Sequence, residues 1–173
     1  MTGIRHDSPG APVESAPVST LGARTLCAGL VSFAAVAGLL VGIGRRSGTP
    51  WRPLNAAASI VLHGRADDVW NFQFDVTPTG CLVVLVLSVM AGFVASSVTP
   101  SRRIPYVISA SVCVATAGYL WHTHVAARTS GGLAALLSLG ELRALYVTLA
   151  VALAVGTCLA PVAREGSRQQ VAG

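Results

Sequence analysis

The residues best suited to chemistry are three histidines and a group of carboxylates. His63 shares a long loop with Asp67, Asp68 and Asp75, and His122 and His124 close a hydrophobic run. Imidazole and carboxylate are ligand types for zinc and similar divalent metals, so His63, His122, His124 and Asp67 form a candidate metal set. A helix with about 3.6 residues per turn turns residues two apart about 200° from each other. His122 and His124 can therefore chelate together only if the helix has ended by Trp121. Otherwise they are interfacial histidines beside a tryptophan. Bis-histidine haem needs ligands from facing helices inside a bundle, and no histidine is placed there. No cofactor is expected.

The other reactive groups are sparse. Cys27, Cys81, Cys113 and Cys158 form no CxxC pair, which argues against a membrane thiol oxidase; small buried apolar cysteines are the plainer reading. No GxSxG, HExxH, Walker loop or paired catalytic carboxylate occurs, so an enzyme is not the expectation. No Asp, Glu or Arg lies in the middle of a hydrophobic segment, where a proton-coupled transporter keeps its ionisable groups. Glu141 and Arg143 stand at a segment end, within reach of the interface.

The composition says what must hold these groups. Of the 173 residues, 53% are hydrophobic and 11% charged, against about 25% charged in a soluble domain. Mean hydropathy is +0.64. Too few charges remain to solvate a globular surface, which excludes a soluble enzyme and a disordered chain. The net charge is +5 and every basic residue is arginine. That usage, with abundant Ala, Gly and Val, suggests a GC-rich bacterial genome. The arginines sit singly or in pairs at hydrophobic-segment ends, where topology determinants lie. With no compact basic face, nucleic acid is not an expected partner.

Four uncharged runs have spanning length. Residues 25–44, 79–98, 104–126 and 142–160 each suit a hydrocarbon core of ~30 Å at 1.5 Å rise per residue. The expected fold is all-α: a membrane four-helix bundle in residues 21–163, with tails at 1–20 and 164–173. A short interfacial helix is expected in the first long loop, from Pro53 to Gly64, with Leu54, Ala58, Val61 and Leu62 on one face. It could lie along the membrane surface, with Trp51, Trp70, Phe72 and Phe74 at headgroup level, or pack on the bundle end. Four spans put both termini on one side. The arginines divide equally between the sides, and the Arg102-Arg103 pair in a short loop favours cytoplasmic termini.

Helices approach closely in lipid where side chains are small. Small residues recur every fourth position at Ala34, Gly38 and Gly42, at Ser88, Gly92 and Ser96, and from Ala144 through Thr148, Ala152 and Gly156 to Ala160. The first and third stripes are expected to face other helices. The partners implied are the lipid bilayer and other membrane proteins, or a second copy of the chain through these stripes.

Residues 53–64, PLNAAASIVLHG, and 74–80, FDVTPTG, resemble an uncharacterised family of small bacterial four-span integral membrane proteins. That family carries an Asn-Ala…His…Gly motif after span one and an Arg-His-Thr…Gly motif opening span two. Its last span opens with a Leu…Val-Tyr pattern similar to residues 141–156. The resemblance covers most of residues 24–160, with matches at Asn55, Ala56, Gly64, Thr77, Gly80 and Tyr146. Val76 replaces the family's histidine before threonine, and the family's histidine within span two has no counterpart. The resemblance implies a four-span membrane protein and no activity.

The leading expectation is a non-enzymatic, multi-pass protein of a bacterial inner membrane, an accessory or assembly factor. The alternative is a small transporter or metal-handling protein using the histidine and aspartate cluster. A third reading is a redox protein binding haem or quinone.

Overall fold

The computed structural model describes residues 20–66, 68–99, 103–126 and 132–160. Among the described residues six α-helices follow in order: α1 (Thr20–Arg46), α2 (Arg52–Leu62), α3 (Thr77–Val98), α4 (Ile104–Trp121), α5 (Gly132–Leu136) and α6 (Leu139–Leu159). A 3-10 turn, His63–Ala66, follows α2, and a π-helical turn, His122–Ala126, follows α4. No strand occurs among the described residues. The expected all-α four-helix bundle is the fold observed.

The four long helices are apolar enough to cross a membrane: Leu21–Arg46, Thr77–Val98, Ile104–Val125 and Leu139–Leu159. Leu30, Leu82, Met90, Val112, Val147 and Leu159 are exposed on the outside of the bundle. In water such a surface would drive association; against lipid tails it is already solvated. The chain is a multi-pass membrane protein. The expected tails fall outside the described residues, apart from Thr20, which begins α1.

Helix α1 is the centre of the bundle, packed between α3 and α6, while α4 lies against α6 and α3. Small residues make the closest contacts. A Cβ on Gly92 would stand 2.9 Å from the Gly29 nitrogen, and one on Gly156 would stand 2.6 Å from the Ala28 Cα. Ser88, Gly92 and Ser96 are all buried. The α6 stripe is buried over Ala152, Gly156 and Ala160, while Ala144 at its start is exposed.

The stripe expected to pack in α1 does not. Ala34, Gly38 and Gly42 are exposed, and a Cβ built on Gly38 or Gly42 would meet nothing within 4 Å beyond the chain neighbours and backbone of its own helix. The buried face of α1 is instead Ala28, Ser32, Val36, Leu40 and Ile43. It lies two residues from the expected stripe, about 200° around the helix. Both stripes share the four-residue period, and the larger side chains of the second give the core its volume.

Helix α2 packs on one end of this bundle. Pro53, Leu54, Asn55, Ala57 and Ala58 are buried, and Leu54 joins Leu40, Ile43, Val84 and Leu145 in one hydrophobic cluster. Of the expected face, Leu54 and Ala58 are buried, Leu62 is half-buried and Val61 is exposed. The turn into α2 passes through Gly48, whose φ of 74° is the left-handed conformation that glycine adopts without Cβ strain. Pro53 near the start of α2 suits a first turn, where its missing N–H goes unused.

Candidate functional site

Two polar centres stand at the α2 end of the bundle. The first is built around Asn55, which is fully buried, and Thr77, which is 1% exposed. Asn55 Nδ2 donates to the carbonyls of Val69 and Asn71, both at 3.0 Å. Thr77 Oγ1 donates to Asn55 Oδ1 at 2.7 Å and accepts from the Gln73 N–H at 3.1 Å. Both amide hydrogens and one lone pair of the amide oxygen of Asn55 are thus engaged, and its complete burial leaves a ligand no access. Gly80, one turn beyond Thr77, lets α2 and α3 touch: a Cβ there would overlap the Leu54 carbonyl oxygen and stand 2.7 Å from its carbon.

This tie holds the loop between α2 and α3 in one shape. Arg52 stacks its guanidinium 3.5 Å above the Trp70 ring centre. Phe72 meets Trp51 edge-on at 5.4 Å and Phe74 at 5.1 Å. Trp70, Phe72 and Phe74 remain exposed, Phe74 at 89%. The ion pair between Arg65 and Asp75 is long, 3.8 Å, and well exposed, so it adds little.

The second centre joins His122 to Tyr146. Tyr146 Oη and His122 Nδ1 lie 3.3 Å apart, and the donor depends on the imidazole tautomer. Tyr119 packs edge-on against Tyr146 with ring centres 5.8 Å apart. Gly118 makes room, since a Cβ there would be 2.8 Å from the Tyr146 ring. His122 Nε2 is also buried, and among the described residues nothing bonds it.

His122 and Tyr146 line a cavity of about 150 Å³ between the helices. Its walls are largely aliphatic: Val36 and Leu40 of α1, Ala57 and Ile60 of α2, Val84 and Leu87 of α3, and Leu145 and Leu149 of α6; Ser88 adds one hydroxyl. Chemically, the arrangement is a largely aliphatic chamber edged by an imidazole, a phenol and one hydroxyl, with no carboxylate or thiol among its lining residues.

The histidines suggested by the sequence have separate settings. The helix does not end at Trp121, as joint chelation by His122 and His124 would require, but continues as a π-turn. His122 is half-buried and lines the cavity; His124 is exposed. His63 is exposed, with Nδ1 3.1 Å from the Val61 carbonyl oxygen. Ile60, three positions before His63, lines the same cavity as His122, so both histidines belong to one end of the bundle. Asp67 lies outside the described residues. Among the described residues, no three His, Cys, Asp or Glu side chains are grouped to share a metal. Glu141 is engaged in a capping box at the start of α6: its Oε2 accepts from the Ser138 N–H at 2.9 Å and hydroxyl at 2.8 Å. The four cysteines are free thiols.

Sequence reasoning missed both centres as working units. Asn55, Thr77, Gly80 and Tyr146 were marked through the resemblance without a role. The available signal was an amide on an otherwise apolar face of α2, which must find partners when buried. Comparison with protein-family models, with curated proteins and with solved structures finds no match to this chain.

Proposed function

We propose that this membrane protein is a non-enzymatic accessory or assembly factor of a bacterial inner membrane, and that it belongs with the small four-span proteins its motifs resemble. The observation that carries the role is the loop after α2. Exposed Trp70, Phe72 and Phe74 are held in fixed relation by the buried Asn55–Thr77 tie. A preorganised aromatic surface binds a partner with less ordering cost than a loose loop, and aromatic residues are the common anchors of interfaces. Convergence of Asn55, Thr77 and Gly80 supports the family reading, because three matched positions serve one structural purpose. Metal handling by His63, Asp67, His122 and His124 has weaker support: His63 and His124 are exposed and no described cluster could share an ion.

The test is native electrophoresis with cross-linking in bacterial inner-membrane preparations. A discrete complex with another protein, lost when Trp70 and Phe74 are both changed to Ala while the chain stays folded, is expected. A chain that migrates alone, or a complex indifferent to both changes, overturns the accessory role.

A further inference from the structure

A groove of about 370 Å³ runs down the outside of the bundle between α4 and α6. It begins at Tyr119, Arg143 and Tyr146, at the end of the bundle that carries α2, and descends to Val112 and Val151. Along α6 that path is about two turns, about 12 Å at 1.5 Å rise per residue, and Val151 stands near the middle of the span Leu139–Leu159. Ala115 and Ala150 line the groove with short side chains, while Val112, Val147 and Val151 on its rim are exposed. The groove is therefore apolar, open to lipid, and cationic at one end. Arg143 is exposed, and among the described residues no hydrogen bond or ion pair engages it. Glu141, the acidic residue of α6, is turned to the Ser138 cap instead. A guanidinium beside hydrocarbon needs an anion or water, and its long stem reaches for the headgroup level to find one.

We propose that this groove seats one acyl chain of an anionic phospholipid whose phosphate pairs with Arg143. The planar guanidinium can meet two phosphate oxygens at once, which a compact ammonium cannot. The groove reaches from the headgroup end to about mid-span, within half of a ~30 Å hydrocarbon core, so the lipid belongs to the leaflet on the α2 side. Tyr119 lines the same upper end, where an aromatic ring with one polar tip suits the interface. Charge selects the occupant. A helix from a second copy would fill the groove with apolar side chains and bring Arg143 no anion. A zwitterionic lipid brings its phosphate together with a cation that offsets it. An anionic lipid matches both the apolar length and the arginine at its head. This site lies apart from the aromatic loop after α2 and does not rest on a protein partner for it.

The experiment uses the full chain in detergent micelles, titrated with dioleoyl phosphatidylglycerol and with dioleoyl phosphatidylcholine and read by native mass spectrometry. One phosphatidylglycerol per chain is expected to be retained, about fivefold more tightly than phosphatidylcholine, the scale of one arginine beside an anionic surface. Arg143→Gln should bring the two lipids level. Arg45→Gln, exposed at the same end but outside the groove, should leave the preference intact. Ala150→Phe keeps every charge and fills the groove, so it should lower retention of both lipids. Equal retention of the two lipids by the unmodified chain overturns the proposal, as does retention of neither. Neither that comparison nor Ala150→Phe needs Arg143→Gln to fold. A preference that survives in Arg143→Gln, or falls as far in Arg45→Gln, assigns the binding to diffuse surface charge and overturns the site. Retention unchanged in Ala150→Phe overturns the acyl-chain seat. A lipid-free dimer gives the groove to a second copy and overturns the proposal as well.

Discussion

Asn55 and His122 occupy the same end of the bundle, and each sets a polar side chain among alanines, leucines and valines. Asn55 meets two carbonyls and a hydroxyl, all within 3.0 Å. His122 meets one hydroxyl at 3.3 Å and keeps a second buried nitrogen without a described partner. The first centre links segments 14 to 22 residues apart and stiffens the loop. The second links two spans loosely and opens on a cavity. A densely bonded polar centre holds structure, because any change leaves several buried groups unpaired; a sparsely bonded one has less to lose.

The contrast makes unequal demands on single substitutions. Asn55→Ala should be the most damaging. It leaves two carbonyls and the Thr77 hydroxyl short of partners, at a cost of about 3 kcal/mol. The intrinsic fluorescence of Trp51, Trp70 and Trp121 in a thermal melt reads it, and an unchanged midpoint would break the comparison at its firm end. Gly80→Ala comes next, about 2 kcal/mol, because the new methyl drives α3 away from the Leu54 carbonyl. The same movement should shift Trp70 emission as the loop loosens, and a melt equal to that of the parent chain would count against the close contact.

Smaller effects belong to the other centre. Tyr146→Phe should cost about 1 kcal/mol, since it removes one hydrogen bond and leaves His122 Nδ1 unpaired; the same melt measures it. His122→Leu should lie within about 0.5 kcal/mol of the parent, because it removes an unpartnered buried nitrogen along with its single bond. A loss as large as that of Asn55→Ala would mean that His122 is a structural group, and the distinction between the two centres would fall.

Much of the fold was legible. Residues 79–98 and 142–160 were expected as spans, and α3 and α6 match within a few residues. Pro53 at the start of α2 is a local signal, read within a turn of helix; the Ser138–Glu141 capping box starts α6 three residues before the expected 142. The faces of the helices were less legible. In α1, Ala34, Gly38 and Gly42 read as a packing stripe, yet Val36 and Leu40 are the residues that face the core. A four-residue period marks a stripe without saying which neighbour, helix or lipid, lies against it, since lipid tails accept either.

The sequence alone determined that this chain belongs in a membrane and carries four runs long and apolar enough to cross it. Hydrocarbon thickness converts uncharged run length directly into a span, with no reference to the rest of the fold. Tertiary structure decided which polar groups are closed and which are open. Asn55 finds its partners at Val69, Asn71 and Thr77, and His122 finds Tyr146 on another span. Hydrogen bonds reach about 3 Å, so whether a buried polar atom is satisfied depends on where distant segments come to rest.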